Sequence, residues 1–158
     1  MKQKKQNKEI VTIANYQKLA MRTCLPSCKN KEYAYYGYRS EFNELQSKLY
    51  GYKAKKVRGD SEEKLAEVEK SIIDEIGDCF WFVALKCTLA KLNFEKIYKS
   101  KTASLSEAID LDLKYRIEGL KSICNTHIIK PLDCMKRNIA KLSSRAERGV
   151  ITGNGDKR

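Results

Sequence analysis

The amino-acid sequence predicts an all-α protein. Its 158 residues include only two prolines, and apolar residues recur at steps of three and four along most of the chain. No stretch alternates polar and apolar residues over the length of a strand, so β-structure is not expected. A chain of this length can bury one core. We therefore expect a disordered basic arm over residues 1–8, then a single helical domain over residues 9–158 that ends in a glycine-rich tail over residues 149–158.

Apolar stripes at helical spacing predict five helices. Ser61 or Asp60 should cap the third helix and Ser104 or Ser106 the fourth, because short polar side chains accept hydrogen bonds from the free amides of a first turn. The charged residues 53–63 are expected to form a loop between the second and third helices. The predicted helices span residues 9–24, 33–52, 62–92, 104–125 and 131–147.

Two pairs of acidic residues lie beside these stripes. Glu41 and Glu44 flank the stripe of the second predicted helix, and Glu75 and Asp78 flank that of the third, each pair on one side. If the two stripes pack together, four carboxylates meet at the edge of one groove. Two charges about 4 Å apart repel by about 4 kcal/mol near a protein surface, so the group needs a counter-charge or protons. Mg²⁺ or Mn²⁺ would supply the charge, because hard divalent cations bind carboxylate oxygens.

The alternative is that each acidic pair belongs to an ordinary solvated helix face. The residues after Asp78 weigh against it. Cys79 to Leu85 are seven apolar residues in succession, so this part of the helix must be buried on every side. A carboxylate at such a place is costly to desolvate unless it is paired, protonated or bound to a metal ion.

Several sequence blocks resemble a known family. The blocks are EFNEL at residues 41–45, DEIGDCFWFVA at 74–84, NIAKLSSRAERG at 138–149 and GNGDKR at 153–158. They are similar to the E-x-x-E, E-x-x-D, N-x-x-K-L-x-x-R and G-x-G-D-x-R motifs of the MazG-type nucleoside triphosphate pyrophosphohydrolases, an all-α superfamily that includes the dimeric dUTPases. The sequence NYQ at residues 15–17 also resembles the opening helix of the small, often phage-borne members.

Two segments are longer than this family usually has. Thirty residues separate Glu44 from Glu75, and the stretch over residues 94–131 reads as an insertion. The insertion would serve as a lid, a dimerisation element or a substrate-selecting segment. The resemblance implies a MazG-like helical bundle assembled as a homodimer or homotetramer, in which a second copy covers apolar side chains such as Trp81 and Leu85.

The resemblance also implies an activity. A protein of this family would hydrolyse a nucleoside triphosphate to a nucleoside monophosphate and pyrophosphate with Mg²⁺, in nucleotide-pool control or house-cleaning. Glu41 or Glu44 would act as general base toward the attacking water. Four residues would hold the metal: Glu41, Glu44, Glu75 and Asp78. Four others would bind the substrate phosphates: Lys48, Asn138, Lys141 and Arg145.

The spacing of three of these phosphate-binding candidates has a physical reading of its own. Asn138, Lys141 and Arg145 follow at i, i+3 and i+7, so they share one face of the last predicted helix. That face offers hydrogen-bond donors of the kind that bind the terminal phosphates of a triphosphate. The alternative is an ordinary solvated basic face.

The formal net charge of +12 leaves other functions open. A basic protein can bind nucleic acid, an anionic surface or a phosphorylated metabolite. No basic stripe interleaved with aromatic residues occurs, so we do not expect a nucleic-acid partner. The rival hypothesis is a catalytically silent helical interaction protein or a basic nucleic-acid binder on the same fold.

Residue types exclude several other functional classes. His127 is the only histidine, which excludes a histidine metal cluster, and no glycine-rich phosphate loop is present. The six cysteines accompany no recognisable signal peptide or long apolar run. We therefore expect reduced thiols in a cytoplasmic protein without a membrane partner.

Overall fold

The computed structural model describes residues 9–150. Within this range the chain forms six α-helices and no strand, which confirms the all-α prediction. Two single 3₁₀ turns lie at Pro26–Cys28 and Thr102–Ser104. The helices are α1 Ile13–Met21, α2 Lys31–Arg58, α3 Glu62–Leu89, α4 Phe94–Lys99, α5 Ala108–Thr126 and α6 Pro131–Glu147.

Helix α3 is the centre of the bundle and contacts each of the other five helices. Its second half is apolar on every side, and all residues from Cys79 to Leu85 are buried. Helix α2 packs along α3 as the other arm of an antiparallel hairpin, and α6 packs against α3 beside it. The functional candidates of α2, α3 and α6 are therefore brought to one region of the molecule.

The connection between α2 and α3 is shorter than predicted. Helix α2 continues six residues beyond the predicted end at residue 52, so the loop predicted over residues 53–63 is wrong. Lysine, arginine and alanine are good helix formers, and a basic run is stable on the exposed side of a long helix. The helix ends at Gly59, whose φ of +75° is a left-handed conformation that favours glycine.

The other helix ends differ from the prediction by a few residues. Thr12 caps α1 in a capping box with Asn15, so this helix begins later than residue 9. Ser61 is the N-cap residue of α3, as predicted, although its hydroxyl makes no capping hydrogen bond. Glu107, rather than Ser104 or Ser106, precedes α5. Helix α6 matches the predicted span at both ends.

The segment over residues 94–131 belongs to the core of the bundle. It contains the short helix α4, which was not predicted and which Asn93 caps through its side chain. Phe94, Leu113, Ile117 and Leu120 are fully buried. The segment therefore contributes to the same hydrophobic core as α3.

Trp81 and Leu85 need no second copy to cover them. Leu85 is fully buried within one chain, and Trp81 is 7% exposed. The indole Nε1 of Trp81 donates a hydrogen bond of 3.1 Å to the carbonyl oxygen of Ala20 on α1. The prediction that these two residues leave an apolar face open was wrong, because α1 and the neighbouring helices cover it.

Part of the sequence-based prediction concerns residues outside the described range. The basic arm over residues 1–8 and the tail residues 151–158 lie there. Gly149, the first residue of the predicted tail, follows α6 with a left-handed φ of +67°.

Among residues 9–150, no helix is both long enough and apolar enough to cross a membrane. The six cysteines are buried and form no disulfide.

Candidate metal centre

Three carboxylates meet between α2 and α3. Glu41 of α2 lies beside Glu75 and Asp78 of α3, and one oxygen from each carboxylate lies within 4.8 Å of the other two. Glu75 and Asp78 are one helical turn apart, so both side chains project toward α2 from the same side of α3. Glu75 is 1% exposed, and the other two are half-buried. These three residues are called the acidic triad below.

Two lysines pair with the acidic triad from different helices. Lys48 of α2 forms an ion pair with Glu75. Lys141 of α6 donates to both oxygens of Asp78, at 2.7 Å and 2.6 Å. Asn138, one turn before Lys141, donates from Nδ2 to Oδ1 of Asp78 at 2.6 Å. Asn138, Lys141 and Lys48 were all predicted to lie at the site, and each contacts a carboxylate of the triad.

A glycine of α3 lets α6 approach this closely. A Cβ atom on Gly77 would lie 2.7 Å from the carbonyl oxygen of Cys134 and 2.9 Å from Cβ of Asn138. Arg137 of α6 also contacts α3, because its Nη2 donates to Oδ2 of Asp74 at 3.0 Å. Sequence reasoning assigned no role to Gly77 or Arg137. A glycine inside an otherwise apolar helix was the available signal, since it often marks a close approach of two backbones.

The surroundings of the triad favour retention of a proton. Burial, the charge of Asp78 and a hydrogen bond to Glu75 raise the pKa of Glu41 to about 8. Burial also raises the pKa of Asp78. The charge of Lys141 and the hydrogen bonds from Lys141 and Asn138 oppose this shift. A divalent cation would lower the pKa of these carboxyl groups, because it replaces the proton as their counter-charge.

Two buried polar atoms also suit a bound species. The Oδ1 atom of Asn138 and the hydroxyl of Tyr16 find no hydrogen-bond partner among residues 9–150, and both side chains are at least 99% buried. Asn138 contacts Asp78 through its Nδ2, and burial, followed by the charge of Asp78, raises the pKa of Tyr16. Buried polar atoms without a partner are rare in folded proteins. Together with three hard carboxylate oxygens, they fit a site for a divalent cation and its water ligands.

Glu44 lies outside the triad, although the sequence predicted four carboxylates together. It is exposed on α2, next to the fully buried Leu45. Successive helix residues are about 100° apart, so a residue adjacent to the buried stripe can turn toward solvent. Glu44 lines an open groove along α2 of about 370 Å³. The residues of this groove, called the α2 groove below, are Ser40, Asn43, Glu44, Ser47 and Lys48.

The remaining candidates divide between the site and the core. Arg145 is half-buried and lies one turn beyond Lys141 on α6. Trp81 and Phe82, which were considered as pocket residues, are each only 7% exposed and pack in the core. Lys48 pairs with Glu75 of the triad and also lines the α2 groove, so it lies where the two meet.

Comparison with known proteins adds no assignment. No protein-family model, curated protein or solved structure matches this chain. The features that bear on function are the acidic triad, the two lysines that pair with it and the α2 groove.

Proposed function

We propose that this protein is a Mg²⁺-dependent nucleoside triphosphate pyrophosphohydrolase, which converts a nucleoside triphosphate to a monophosphate and pyrophosphate. One observation carries the proposal. Three carboxylates that suit a divalent cation lie together, and two of them, Glu75 and Asp78, contact lysines that suit phosphate oxygens. An enzyme that cleaves a phosphoanhydride needs both kinds of group within reach of the same phosphorus atom.

Glu41, Glu75 and Asp78 would hold the Mg²⁺, with Mn²⁺ as a substitute. Bound Mg²⁺ neutralises phosphate oxygens and makes water more acidic. Asn138 would fix the orientation of Asp78, because its Nδ2 donates to Oδ1 of that carboxylate. Gly77 and Arg137 would act further out, by keeping α6 close to α3.

The protein's own side chains would manage protons and charge. Of the two candidate bases, Glu44 lies outside the triad at the α2 groove, so it can accept a proton from water while Glu41 holds the cation. Lys48, Lys141 and Arg145 would neutralise the charge that grows on the departing pyrophosphate. Lys48 also lines the α2 groove, which supports a contact with substrate there.

The α2 groove is the proposed place for the rest of the substrate. It is open to solvent, and all of its lining residues belong to α2. Its serine, asparagine and lysine side chains offer polar contacts to a sugar or phosphate. The motif resemblance also supports a homodimer or homotetramer as the working form and a role in nucleotide-pool control.

A nucleotide panel tests the proposal. The protein would be incubated with Mg²⁺ and canonical or modified ribo- and deoxyribonucleoside triphosphates, and pyrophosphate and monophosphate would be quantified. We expect equimolar amounts of the two products from at least one nucleotide. Glu75→Gln should abolish the reaction, whereas Glu67→Gln, the same change at an exposed position of α3, should not.

Two outcomes would contradict the proposal. Release of orthophosphate without pyrophosphate would show cleavage between the β- and γ-phosphates instead of between the α- and β-phosphates. Absence of any hydrolysis, combined with nucleic-acid binding that needs no Mg²⁺ and falls steeply with salt, would favour the basic nucleic-acid binder instead.

A further inference from the structure

The acidic triad already has counter-ions, and they are side chains of this chain. Lys48 contacts Glu75, and Lys141 contacts both oxygens of Asp78 at 2.7 Å and 2.6 Å. The two ammonium groups come from different helices, α2 and α6. They contact two of the three carboxylates that a divalent cation would use.

Lys141 and a cation would compete for the same carboxylate, and Lys48 lies on a second carboxylate of the triad. Lys141 spans both oxygens of Asp78, and Asn138 occupies one of them as well. A cation that coordinates Asp78 must therefore weaken or break the Lys141 contact. Each lysine side chain is 23% exposed, so a displaced ammonium group stays at the edge of the site. An anion nearby would stabilise it there.

A second observation is a buried polar atom beside Asp78 that the ion pairs leave without a partner. Oδ1 of Asn138 has no hydrogen-bond partner among the described residues, although the side chain is 99% buried and its Nδ2 is bound to Asp78. The Tyr16 hydroxyl is also fully buried, and it also has no hydrogen-bond partner among these residues. The two ion pairs satisfy neither of these atoms.

We propose that Lys48 and Lys141 are exchangeable counter-ions: a divalent cation displaces them from the acidic triad, and the phosphates of a polyphosphate ligand then bind them. Without a polyphosphate, the cation must compete with the two lysines for the carboxylates. A polyphosphate that binds the displaced ammonium groups removes this competition. The cation and the polyphosphate therefore bind cooperatively, and each raises the affinity of the other by the same factor. The choice of polyphosphate as the anion rests on the proposed function, whereas the exchange of lysine for cation does not.

The exchange is tested by cation binding alone. Mn²⁺ affinity would be measured by electron paramagnetic resonance and calorimetry for the parent protein and for Lys141→Met, with circular dichroism to verify the fold. Loss of the competing ammonium should tighten Mn²⁺ binding about tenfold or more, because a charge-assisted hydrogen bond is worth about one to two decades in an equilibrium constant. Lys141→Gln, which keeps a donor but removes the charge, should act in the same direction. It serves as the test if Lys141→Met does not fold.

The control removes the same charge elsewhere. Lys99 pairs with Glu95 within α4, and its side chain is 67% exposed. Lys99→Met should leave Mn²⁺ affinity within about twofold of the parent, because exposed charges beyond the Debye length of about 10 Å are screened in 0.1 M salt. Mn²⁺ affinity of Lys141→Met and Lys141→Gln that equals or falls below that of the parent would overturn the proposal.

The cooperativity is tested with inorganic triphosphate, which carries no base. Its affinity would be measured without divalent cation and at a fixed free concentration of Mn²⁺. In the parent we expect Mn²⁺ to tighten triphosphate binding, and in Lys141→Met this coupling factor should fall about tenfold. An unchanged coupling factor in the variant would also overturn the proposal.

The result can be separated from the nucleotide panel. Tighter Mn²⁺ binding in Lys141→Met, with no nucleotide hydrolysed by the parent, would support the exchange and contradict the enzyme activity. Hydrolysis by the parent, with unchanged Mn²⁺ affinity in Lys141→Met, would support the activity and overturn the exchange.

Discussion

The two glutamates of α2 differ in their surroundings although they are only three positions apart. Glu41 is half-buried in the acidic triad, whereas Glu44 is exposed at the α2 groove. Their sequence contexts are nearly equivalent, so the periodicity of the apolar stripe placed both on the same flank. The difference arises from the rotation of α2 against α3, which the pattern of one helix does not specify.

Substitution separates the roles of these two glutamates. Glu41→Gln should lose most of the thermal stabilisation by Mg²⁺, because it removes a triad ligand at nearly constant shape. Glu44→Gln should keep that stabilisation and lose turnover. The measurement is melting temperature with and without Mg²⁺, beside kcat for the best nucleotide. Equal loss of Mg²⁺ stabilisation in both variants would mean that Glu44 is also a ligand.

The raised pKa of Glu41 predicts how pH affects the metal-free protein. This carboxyl titrates near 8 in the folded protein and near 4.5 when unperturbed. Between these values the folded state holds more protons than the unfolded state. The free energy of unfolding therefore falls as pH rises from about 4.5 to about 8. The contribution is fully present below this window and is lost above it.

The pH prediction is measured as a difference between two proteins. Denaturation of the parent and of Glu41→Gln in EDTA would be compared from pH 5 to pH 8. The parent should lose stability relative to the variant as pH rises, because glutamine does not titrate. Added Mg²⁺ should reverse the trend in the parent, since the cation competes with a proton. Parallel stability curves without metal would contradict the shift at Glu41.

At the level of helices, the contact between α3 and α6 brings Asn138 and Lys141 to the triad. Gly77 lies against the backbone of Cys134, and Asn138 and Lys141 then reach Asp78 from α6. The span of α6 could be predicted from its stripe and from Pro131, which suits the first turn of a helix. Its partner helix could not, because an apolar stripe does not specify which helix covers it.

Gly77→Ala tests this contact. The new methyl group would lie 2.7 Å from a carbonyl oxygen, so α6 must move, and overpacking of this kind costs about 1–3 kcal/mol. Urea denaturation should show this loss. Gly51→Ala is the matched control, because no atom lies within 4 Å of the added Cβ in α2. That change should be neutral or stabilise by up to about 1 kcal/mol through helix propensity. A neutral Gly77→Ala would contradict the tight interface.

The C-terminal end of α2 was predicted too early in the sequence. Residues 53–58 are mostly basic, a composition that favours a loop on polarity alone. The same residues are good helix formers, and the preceding helix only needs to continue through them. Gly59, with its left-handed conformation, was the signal for the true end.

For the molecule as a whole, the fold class followed from the sequence because helical periodicity persists along most of the chain. The central position of α3 was also predictable, since seven successive apolar residues must be covered on all sides. The role of residues 94–131 was not. Their buried side chains pack on helices distant in sequence, and only the three-dimensional arrangement shows that they complete the core.

Metal binding should stabilise the whole fold, because the acidic triad joins the two longest helices. At a free Mg²⁺ concentration of 100 times Kd, the expected gain is about 2.7 kcal/mol. For a chain of this size that corresponds to a rise in Tm of about 5–10 °C. Differential scanning calorimetry in EDTA and in Mg²⁺, with NaCl at matched ionic strength, measures it. A rise of the same size in Glu75→Gln would show that Mg²⁺ acts at another place.

The most direct test of the metal centre is anomalous X-ray scattering from crystals of this protein with Mn²⁺. We predict a manganese ion about 2.0–2.6 Å from one oxygen each of Glu41, Glu75 and Asp78, the range for hard divalent cations and carboxylates. A manganese ion bound elsewhere, with Lys141 still on Asp78 and no density between the three carboxylates, would contradict the account.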